Sequence, residues 1–535
     1  MPERGPKARR LRDATALLAR QPRRFWQRHR GWALALIAVV ALVAVGAFVA
    51  YQELKRPPDV LNEDVVFEPQ QPKPPPPRAQ TVNWPMFGLN RARTRYLPAR
   101  GVAPPFRKLW RYTARPLLEF PPIYVGGRLY AVNNSGFAFA LDAKTGRKIW
   151  KRRIGTLNAS SPAYARGRLY VVNLVPGHIL KLDAKTGRTL WKRDLPDRAE
   201  SSPVVVGNTV YFGCENGRLY ALSTVNGNER WSTEVGGAVK AAPAYFGGRL
   251  YVGDYGGHMN AVDAKNGELL WQSGSLGTGL GGSGGFYSTP AVAFGRVYAG
   301  NNDGRVYSYG LKDGTLAWTH STGGYVYSGP TVASTRHTPP TVYIGSFDGN
   351  VYALDAKDGS VRWSRGAGGQ VIGSLSAVGD IVYVAEFTNK TTSGFMMRSG
   401  RRVFRYPKGT YTPVISDGRR IYLTGYSSIT ALQPFNPKRL RAVRAKLRRE
   451  GKVAPVVVRR HIEAAREQAR GEGKSRRQVI LAGREALARL RARLRREAAA
   501  AGADSPSRSS GRAASGAGSA SPGDSSASSG SGSSN

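Results

Sequence analysis

GRLYAVNNSGFAFALDAKTGRKIW at residues 127–150 and GRLYVVNLVPGHILKLDAKTGRTLW at 167–191 are one pattern written twice. It returns as NTVYFGCENGRLYALSTVNGNERW (208–231), GRLYVGDYGGHMNAVDAKNGELLW (248–271), GRVYAGNNDGRVYSYGLKDGTLAW (295–318) and TVYIGSFDGNVYALDAKDGSVRW (341–363). The aromatic that ends each unit falls at Trp110, Trp150, Trp191, Trp231, Trp271, Trp318 and Trp363, with Phe404 at the next step. The intervals are 40, 41, 40, 40, 47, 45 and 41 residues. A period near 40 with several short strands per unit marks a propeller or solenoid.

Within a unit the alternation has a period of two. Leu169, Val171 and Asn173 alternate with Tyr170 and Val172, which predicts a strand. A Gly-containing turn and HILKLD follow, then AKTG, whose Gly187 can take the positive φ that a bulged hairpin turn needs. RTLWKR supplies an outer strand, and an SSPAYA-type segment opens the next unit. The recurrent Trp reads as structural, packing one blade on its neighbour. An eighth unit, 412–435, has three strands and lacks the outer one; FRKLWRY (106–112) supplies it from the front. Closing the ring with both ends removes open sheet edges. The expectation is an all-β, eight-bladed propeller of four-stranded blades over residues 106–435, with seven blades the alternative if the weak repeat at 383–404 does not form.

The pattern GRLYxxxxxGxxxALDAKTGxxxW resembles the repeat of the quinoprotein (PQQ) dehydrogenases and of the BamB-like propellers. The first resemblance implies a Ca²⁺-bound quinone, a catalytic Asp, long insertions around the cofactor and, in many members, a disulfide between adjacent Cys. With Cys214 as the single cysteine, that disulfide cannot form, and the longest interval exceeds the usual one by only about seven residues. Asp142, Asp183, Asp263 and Asp355 recur at turns and read as turn-formers. No catalytic residue or metal ligand can be singled out, no cofactor is expected, and PQQ with Ca²⁺ is the one cofactor chemistry to test. The second resemblance implies a non-catalytic scaffold of envelope protein assembly. Two features depart from it: there is no lipobox Cys near the N-terminus, and a long basic C-terminal extension is present.

Gly277, Gly279 and Gly282 have GxGxxG spacing, but a strand (FYSTPAVAF) follows where a dinucleotide loop needs a helix. This reads as a loop, and with Phe286 and Tyr287 it forms the candidate binding loop for a protein partner. Residues 273–288 and 389–400 are the expected contact loops. The six His show no metal-ligand spacing, and His178 and His258 fall in blade hairpins.

The chain has 535 residues with 80 Lys plus Arg and 35 Asp plus Glu, a net charge of +45. That charge is uneven. Residues 1–31 are basic, and 32–51 (WALALIAVVALVAVGAFVAY) carry no charge. At about 1.5 Å per residue they span roughly 30 Å as a helix, matching the hydrocarbon core. The basic flank precedes the apolar run, which predicts a single-pass signal anchor in a bacterial-type plasma (inner) membrane. The N-terminus would be cytoplasmic, and the propeller and C-terminus extracytoplasmic. A cleaved signal peptide at Val45-Gly46-Ala47 is the alternative. Residues 52–105 read as a Pro-rich linker and lead-in, with 69–77 a polyproline spacer holding the rest away from the bilayer. Residues 436–500 read as a basic helical region: Leu487, Leu490 and Leu494 share a face among Arg489, Arg491, Arg493, Arg495 and Arg496. Anionic lipid or an envelope polymer is its expected partner, while the outside location and absence of aromatics disfavour nucleic acid. Residues 501–535 read as a disordered Ser/Gly tail. The functional expectation is a membrane-anchored propeller acting as a binding scaffold, with a quinone-dependent dehydrogenase or a ligand sensor as alternatives.

Overall fold

The computed structural model describes residues 32, 34–48, 51, 57–69, 81–277, 284–411, 414–435, 462–469, 472 and 475–503. Residues to Phe435 form one unit and those from Asn436 a second.

The first unit contains an eight-bladed propeller of four-stranded antiparallel blades. Blade 1 comprises Ile123–Val125, Arg128–Asn133, Phe137–Asp142 and Lys148–Arg153, from the axis outward. Blades 2 to 7 repeat this order, and the weak repeat forms blade 7, from Ser376–Val378 to Arg402–Tyr406. In blade 8, Phe106–Thr113 pairs antiparallel with Ser428–Pro434 as the outer strand, so the two ends of the ring sequence share one sheet. Residues 389–400 are not a contact loop: Thr392–Met396 is the third strand of blade 7, since its alternating small and apolar side chains are buried.

The repeat positions hold the blades together. Each outer strand carries a bulge beside the aromatic, as at Ala140/Leu141 opposite Lys148 and Trp150, which turns the ring toward the next blade. The indole Nε1 of each of the seven Trp then donates to a carbonyl of that blade, at 2.8–3.4 Å. Trp110 reaches Ala143, Trp150 reaches Ala184 and Trp318 reaches Ala356. The glycine of the facing turn is required twice over. Gly146 has φ 75°, and a Cβ on it would lie 2.6 Å from the Trp110 ring. The turn Asp residues cap their own loops: Asp142 Oδ1 accepts from Thr145 N at 2.7 Å and Asp183 Oδ1 from Thr186 N at 3.0 Å. Phe404 has no N–H to donate and instead meets Phe106 of blade 8 edge-on, with centroids 5.3 Å apart.

Two segments upstream of the ring are docked on it. Residues 57–68 run along blade 5: Asp59 accepts from Ser321 N at 2.9 Å, Asn62 N donates to Ala317 O at 2.7 Å, and Glu68 N to Phe294 O at 3.0 Å. This corrects the spacer reading. The chain is already fastened to blade 5 before the Pro-rich stretch begins, so that stretch connects two docked segments and does not separate the propeller from residue 51. The stretch itself, 70–80, lies outside the described residues.

The second segment, 82–97, closes one end of the axis. Its backbone bonds the innermost strands in turn: Val82 to Asp417, Trp84 to Tyr124, Pro85 to Tyr164, Arg91 to Tyr245, Ala92 to Val292, Thr94 to Val332 and Arg95 to Ala377. Tyr96–Leu97 finally adds a short parallel strand to blade 7. Leu89, Arg93 and Arg95 take left-handed φ of 75°, 58° and 56°, a cost accepted where surrounding bonds fix the backbone.

Among the described residues no helix is long and apolar enough to cross a membrane. Residues 34–48 are helical, and every side chain in them is exposed. In the second unit, residues 462–469 and Arg476–Ala503 are helical. Ser475 opens the long helix with a capping box, its N–H bonded to Gln478 Oε1 at 2.9 Å. Leu487 and Leu490 are half-buried while Arg489, Arg493 and Arg496 are exposed. The side chains of Leu494, Arg491 and Arg495, the helical segment expected at 437–450, and the Ser/Gly tail beyond residue 503 lie outside the described residues.

Candidate binding site on the propeller axis

The turns between first and second strands, with the axial plug, define one face of the ring. The loops between successive blades converge at the opposite end of the axis, where they line a partly open cavity of about 100 Å³. Every inter-blade loop except that between blades 1 and 2 contributes to its wall, and Phe87 of the plug reaches it from below.

The local sequence explains the convergence. Seven of the eight blades open with a Pro, as in Ser201-Ser202-Pro203 and Ser288-Thr289-Pro290, with Leu375 at that place in blade 7, and Ser hydroxyls tie adjacent openings together. Ser201 Oγ donates to Ala241 O and Ser288 Oγ to Ser328 O, each at 2.9 Å. Pro carbonyls then face the plug. Arg93 donates to Pro243 O at 3.0 Å, Ser202 O at 3.0 Å, Pro203 O at 3.2 Å and Phe87 O. Arg95 donates to Arg93 O at 2.7 Å, Pro330 O at 2.9 Å and Thr289 O at 3.3 Å. Both side chains are fully buried, and burial pushes each guanidinium down to about 9, which leaves both charged at neutral pH.

The residues just before these openings give the cavity its charge. Glu200, buried, lies 3.0 Å from Lys240 Nζ, which also lies 3.5 Å from Glu215. Glu215 is 3.2 Å from the exposed Arg198. Half-buried Glu119 accepts from Asn134 Nδ2 at 3.3 Å. Burial, with the Glu200 charge beside it, raises Glu119 above its ordinary value. Burial raises Glu200 also, against the pull of Lys240. Lys240 is lowered by burial, but Glu200 and Glu215 more than offset this and raise it. The rim is aromatic: Tyr287 meets Tyr327 edge-on at 5.4 Å, and Tyr327 meets Phe347 at 5.1 Å.

The candidate binding loop divides. Tyr287 lines the cavity. Phe286, its neighbour, points the other way: it is 0 % exposed and packs on Tyr307 and Tyr309. Gly277 is buried, its carbonyl accepting from Arg305 Nη1 at 3.0 Å. Gly279 and Gly282 lie outside the described residues. His178 bonds Ile154 O at 2.7 Å, tying its blade 2 hairpin to the end of blade 1, and His258 sits 3.4 Å from Asp254 of its own hairpin. Among the described residues no group of three His, Cys, Asp or Glu is placed to hold a metal ion.

The family described as "Outer membrane protein assembly factor BamB" matches residues 102–242 and 236–442, which is most of the chain. The chain belongs to that family. No curated protein matches it by sequence. Among solved structures, BamB from Moraxella catarrhalis is similar at 17% identity and a TM-score of 0.52, over 61% of this chain and 99% of that one. The quinohemoprotein alcohol dehydrogenase of Comamonas testosteroni is similar at 14% identity and a TM-score of 0.55, over 66% and 80%. A computationally designed protein, Ika8, reaches 14% and 0.51 over 61% and 98%. These likenesses give this BamB-family chain its fold and no more.

The Arg of the plug and the Glu and Lys of the cavity escaped the sequence reading. A signal existed for the first: Arg91, Arg93 and Arg95 alternate within a stretch otherwise taken as linker.

Proposed function

We propose that this BamB-family chain is a membrane-tethered, extracytoplasmic scaffold without catalytic chemistry of its own, working in envelope protein assembly. Family membership supports the assembly role. The observation that carries the non-catalytic reading is the axis. It is closed at one end by the chain's own residues 82–97, and at the other it leaves about 100 Å³. A site for a drug-sized cofactor needs roughly 300 Å³ or more. That shortfall in size is what weighs against a Ca²⁺-bound quinone on the axis. The full chain in detergent, titrated with PQQ and Ca²⁺, is expected to give no saturable quinone absorbance change and no rise in Tm. One-to-one binding would overturn the reading.

The tether is supported by helical residues 34–48, which carry no charge and expose every side chain, an arrangement stable in lipid and costly in water. The ring is held close. From Tyr51 to Pro57, where docking on blade 5 begins, six residue steps reach at most about 20 Å. Replacing Val40 and Val43 together by Arg adds roughly 5–7 kcal/mol to insertion. The variant is expected in the alkaline wash of membranes while the parent stays in the pellet. A parent that also washes out, with a new N-terminus near Ala47, would favour a cleaved leader. The basic helix Arg476–Ala503 is proposed to lie against anionic lipid or an anionic envelope polymer.

A further inference from the structure

We propose that the outer rim of blades 7, 8 and 1 is a docking surface for a flexible linear polyanion, an envelope polymer with phosphodiester or carboxylate groups along its length. The proposal goes beyond the scaffold reading; only the choice of an envelope polymer over an intracellular polyanion rests on the extracytoplasmic placement proposed above.

The outer strands of these three neighbouring blades are Arg402–Tyr406 (RVFRY), Phe106–Thr113 (FRKLWRYT) and Lys148–Arg153 (KIWKRR). Together they hold nine Lys or Arg and no Asp or Glu, and all nine side chains are exposed. Among the described residues none of the nine is ion-paired. Elsewhere on the ring the pattern differs. Lys192 of blade 2 lies 2.8 Å from Asp194, Arg218 of blade 3 lies 3.4 Å from Glu234, and Arg362 of blade 6 pairs with Asp355.

Edge protection does not account for the band. An outer strand exposes unpaired backbone groups, and charge of either sign deters pairing with another sheet. A device serving that end alone would recur on every open edge and would need no single sign. The outer strand of blade 4, Leu269–Gly274, carries no charge, and that of blade 3, Glu229–Glu234, carries two Glu and one Arg. Cations clustered without partners repel one another, and a bound polyanion relieves that repulsion. Two of them are also held in place: Lys151 Nζ and the Arg153 guanidinium lie 4.0 and 5.5 Å from the centre of the Phe137 ring. Less side-chain freedom is then lost on binding.

The shape of the rim selects the partner. Eight blades share one turn, so each outer edge is rotated about 45° from the next, and the three rows follow a convex arc of about 90°. At about 3.3 Å per residue, the cations from Arg107 to Arg111 cover about 13 Å along their strand. A flat bilayer is tangent to such an arc and meets one row at a time. A DNA duplex, with a persistence length of about 500 Å, does not follow it. A flexible chain does, and neighbouring rows then bind it jointly at high effective concentration. Single-stranded nucleic acid would need aromatic faces for its bases. The rings here are turned into the blades, Tyr112 onto Phe139 at 5.5 Å and Phe106 onto Phe404 at 5.3 Å. Six of the nine cations are Arg, whose planar fork bonds phosphate and carboxylate oxygens in pairs.

The test uses the full chain in phosphatidylcholine nanodiscs, or in detergent micelles if it does not insert, so failure of the anchor and failure of the rim are read separately. It is titrated with poly(glycerol phosphate), polygalacturonate, phosphatidylglycerol vesicles and a short DNA duplex. Because residues 1–31 and 436–500 are basic as well, the reading is the difference between two variants of equal charge. One removes rim cations: Lys108→Gln, Arg111→Gln, Lys148→Gln and Arg405→Gln. The other removes exposed cations of blades 2 to 5: Lys185→Gln, Arg230→Gln, Lys265→Gln and Lys312→Gln. The rim variant is expected to bind at least one polymer about tenfold or more weakly at low salt. Its log–log salt dependence should be shallower by about 3, four contacts at about 0.7 each. The other variant should lose less than about threefold, and the two should match on vesicles and duplex. Equal losses in the two variants would overturn the proposal. So would no saturable binding of either polymer, or a rim-specific loss on vesicles or duplex as large as that on the polymers. Should the fourfold rim variant melt early, Lys108→Gln with Lys148→Gln, set against Lys185→Gln with Lys265→Gln, gives the same comparison at about half the slope change.

Discussion

Trp318→Ala is expected to lower the stability of the ring by about 3–5 kcal/mol, the range for removing a large buried aromatic. At roughly 2 °C of Tm for each kcal/mol, the midpoint should fall by about 6–10 °C. The seven Trp are equivalent in sequence but not in burial. Trp110, Trp191 and Trp231 are half-buried, whereas Trp318 is 0% exposed. The reason lies outside the repeat. Residues 57–68 lie along blade 5, and Leu61 pairs with Trp318 itself in an isolated antiparallel bridge. On its other side the indole stacks against Gly359, where a Cβ would come within 2.7 Å, and bonds Ala356 O at 3.1 Å. The cavity left by truncation is thus walled by two segments that cannot collapse into it. Trp191→Ala, with solvent on one side, should cost less than half as much. Trp318→Phe keeps most of the area and loses one bond, while Ala356 O still accepts from the Tyr298 hydroxyl at 3.0 Å, so the lost bond should cost only about 0.5–1.5 kcal/mol. Thermal unfolding of the three variants checks the order; equal losses for Trp318→Ala and Trp191→Ala would show that the strap adds nothing.

What sequence could reveal here was whatever repeats. The period of 40 located the seam residues because each blade solves the same packing problem, so Trp150 and Ala184 recur as a donor and acceptor in register. Ring closure was legible because blade 8 lacked one strand and Phe106–Thr113 was left over to supply it. The axis was not legible. Glu119, Glu200 and Lys240 sit in loops of differing sequence, and the ring alone brings them together. Phe286 and Tyr287 show the limit at single residues: adjacent side chains ahead of the first strand of blade 5 face opposite ways, and no periodicity in that loop marks which one faces the axis. The Pro-rich lead-in misled for a related reason. Its composition reports stiffness, while its neighbours at 57–68 and 82–97 are fixed by bonds to residues far along the chain, more than 200 positions away for 57–68.

The plug yields the second large effect. Arg93→Met is expected to cost on the order of 3–5 kcal/mol, comparable to breaking a buried charged network. The methionine fills much of the volume but donates nothing, so the carbonyls of Phe87, Ser202, Pro203 and Pro243 lose their donor together. Two of those carbonyls belong to residues without an N–H, at the openings of blades 3 and 4, where unpaired buried acceptors are costly. Arg93→Lys is the sharper probe. A lysine keeps the charge, but its single ammonium cannot reach acceptors spread over the plug and two blades as a planar guanidinium does. It should recover less than half of the loss. Melting curves of the two variants beside the parent check this. Should Arg93→Lys match the parent, the plug would be held by its backbone bonds to the inner strands, and the buried guanidinium would contribute charge without geometry.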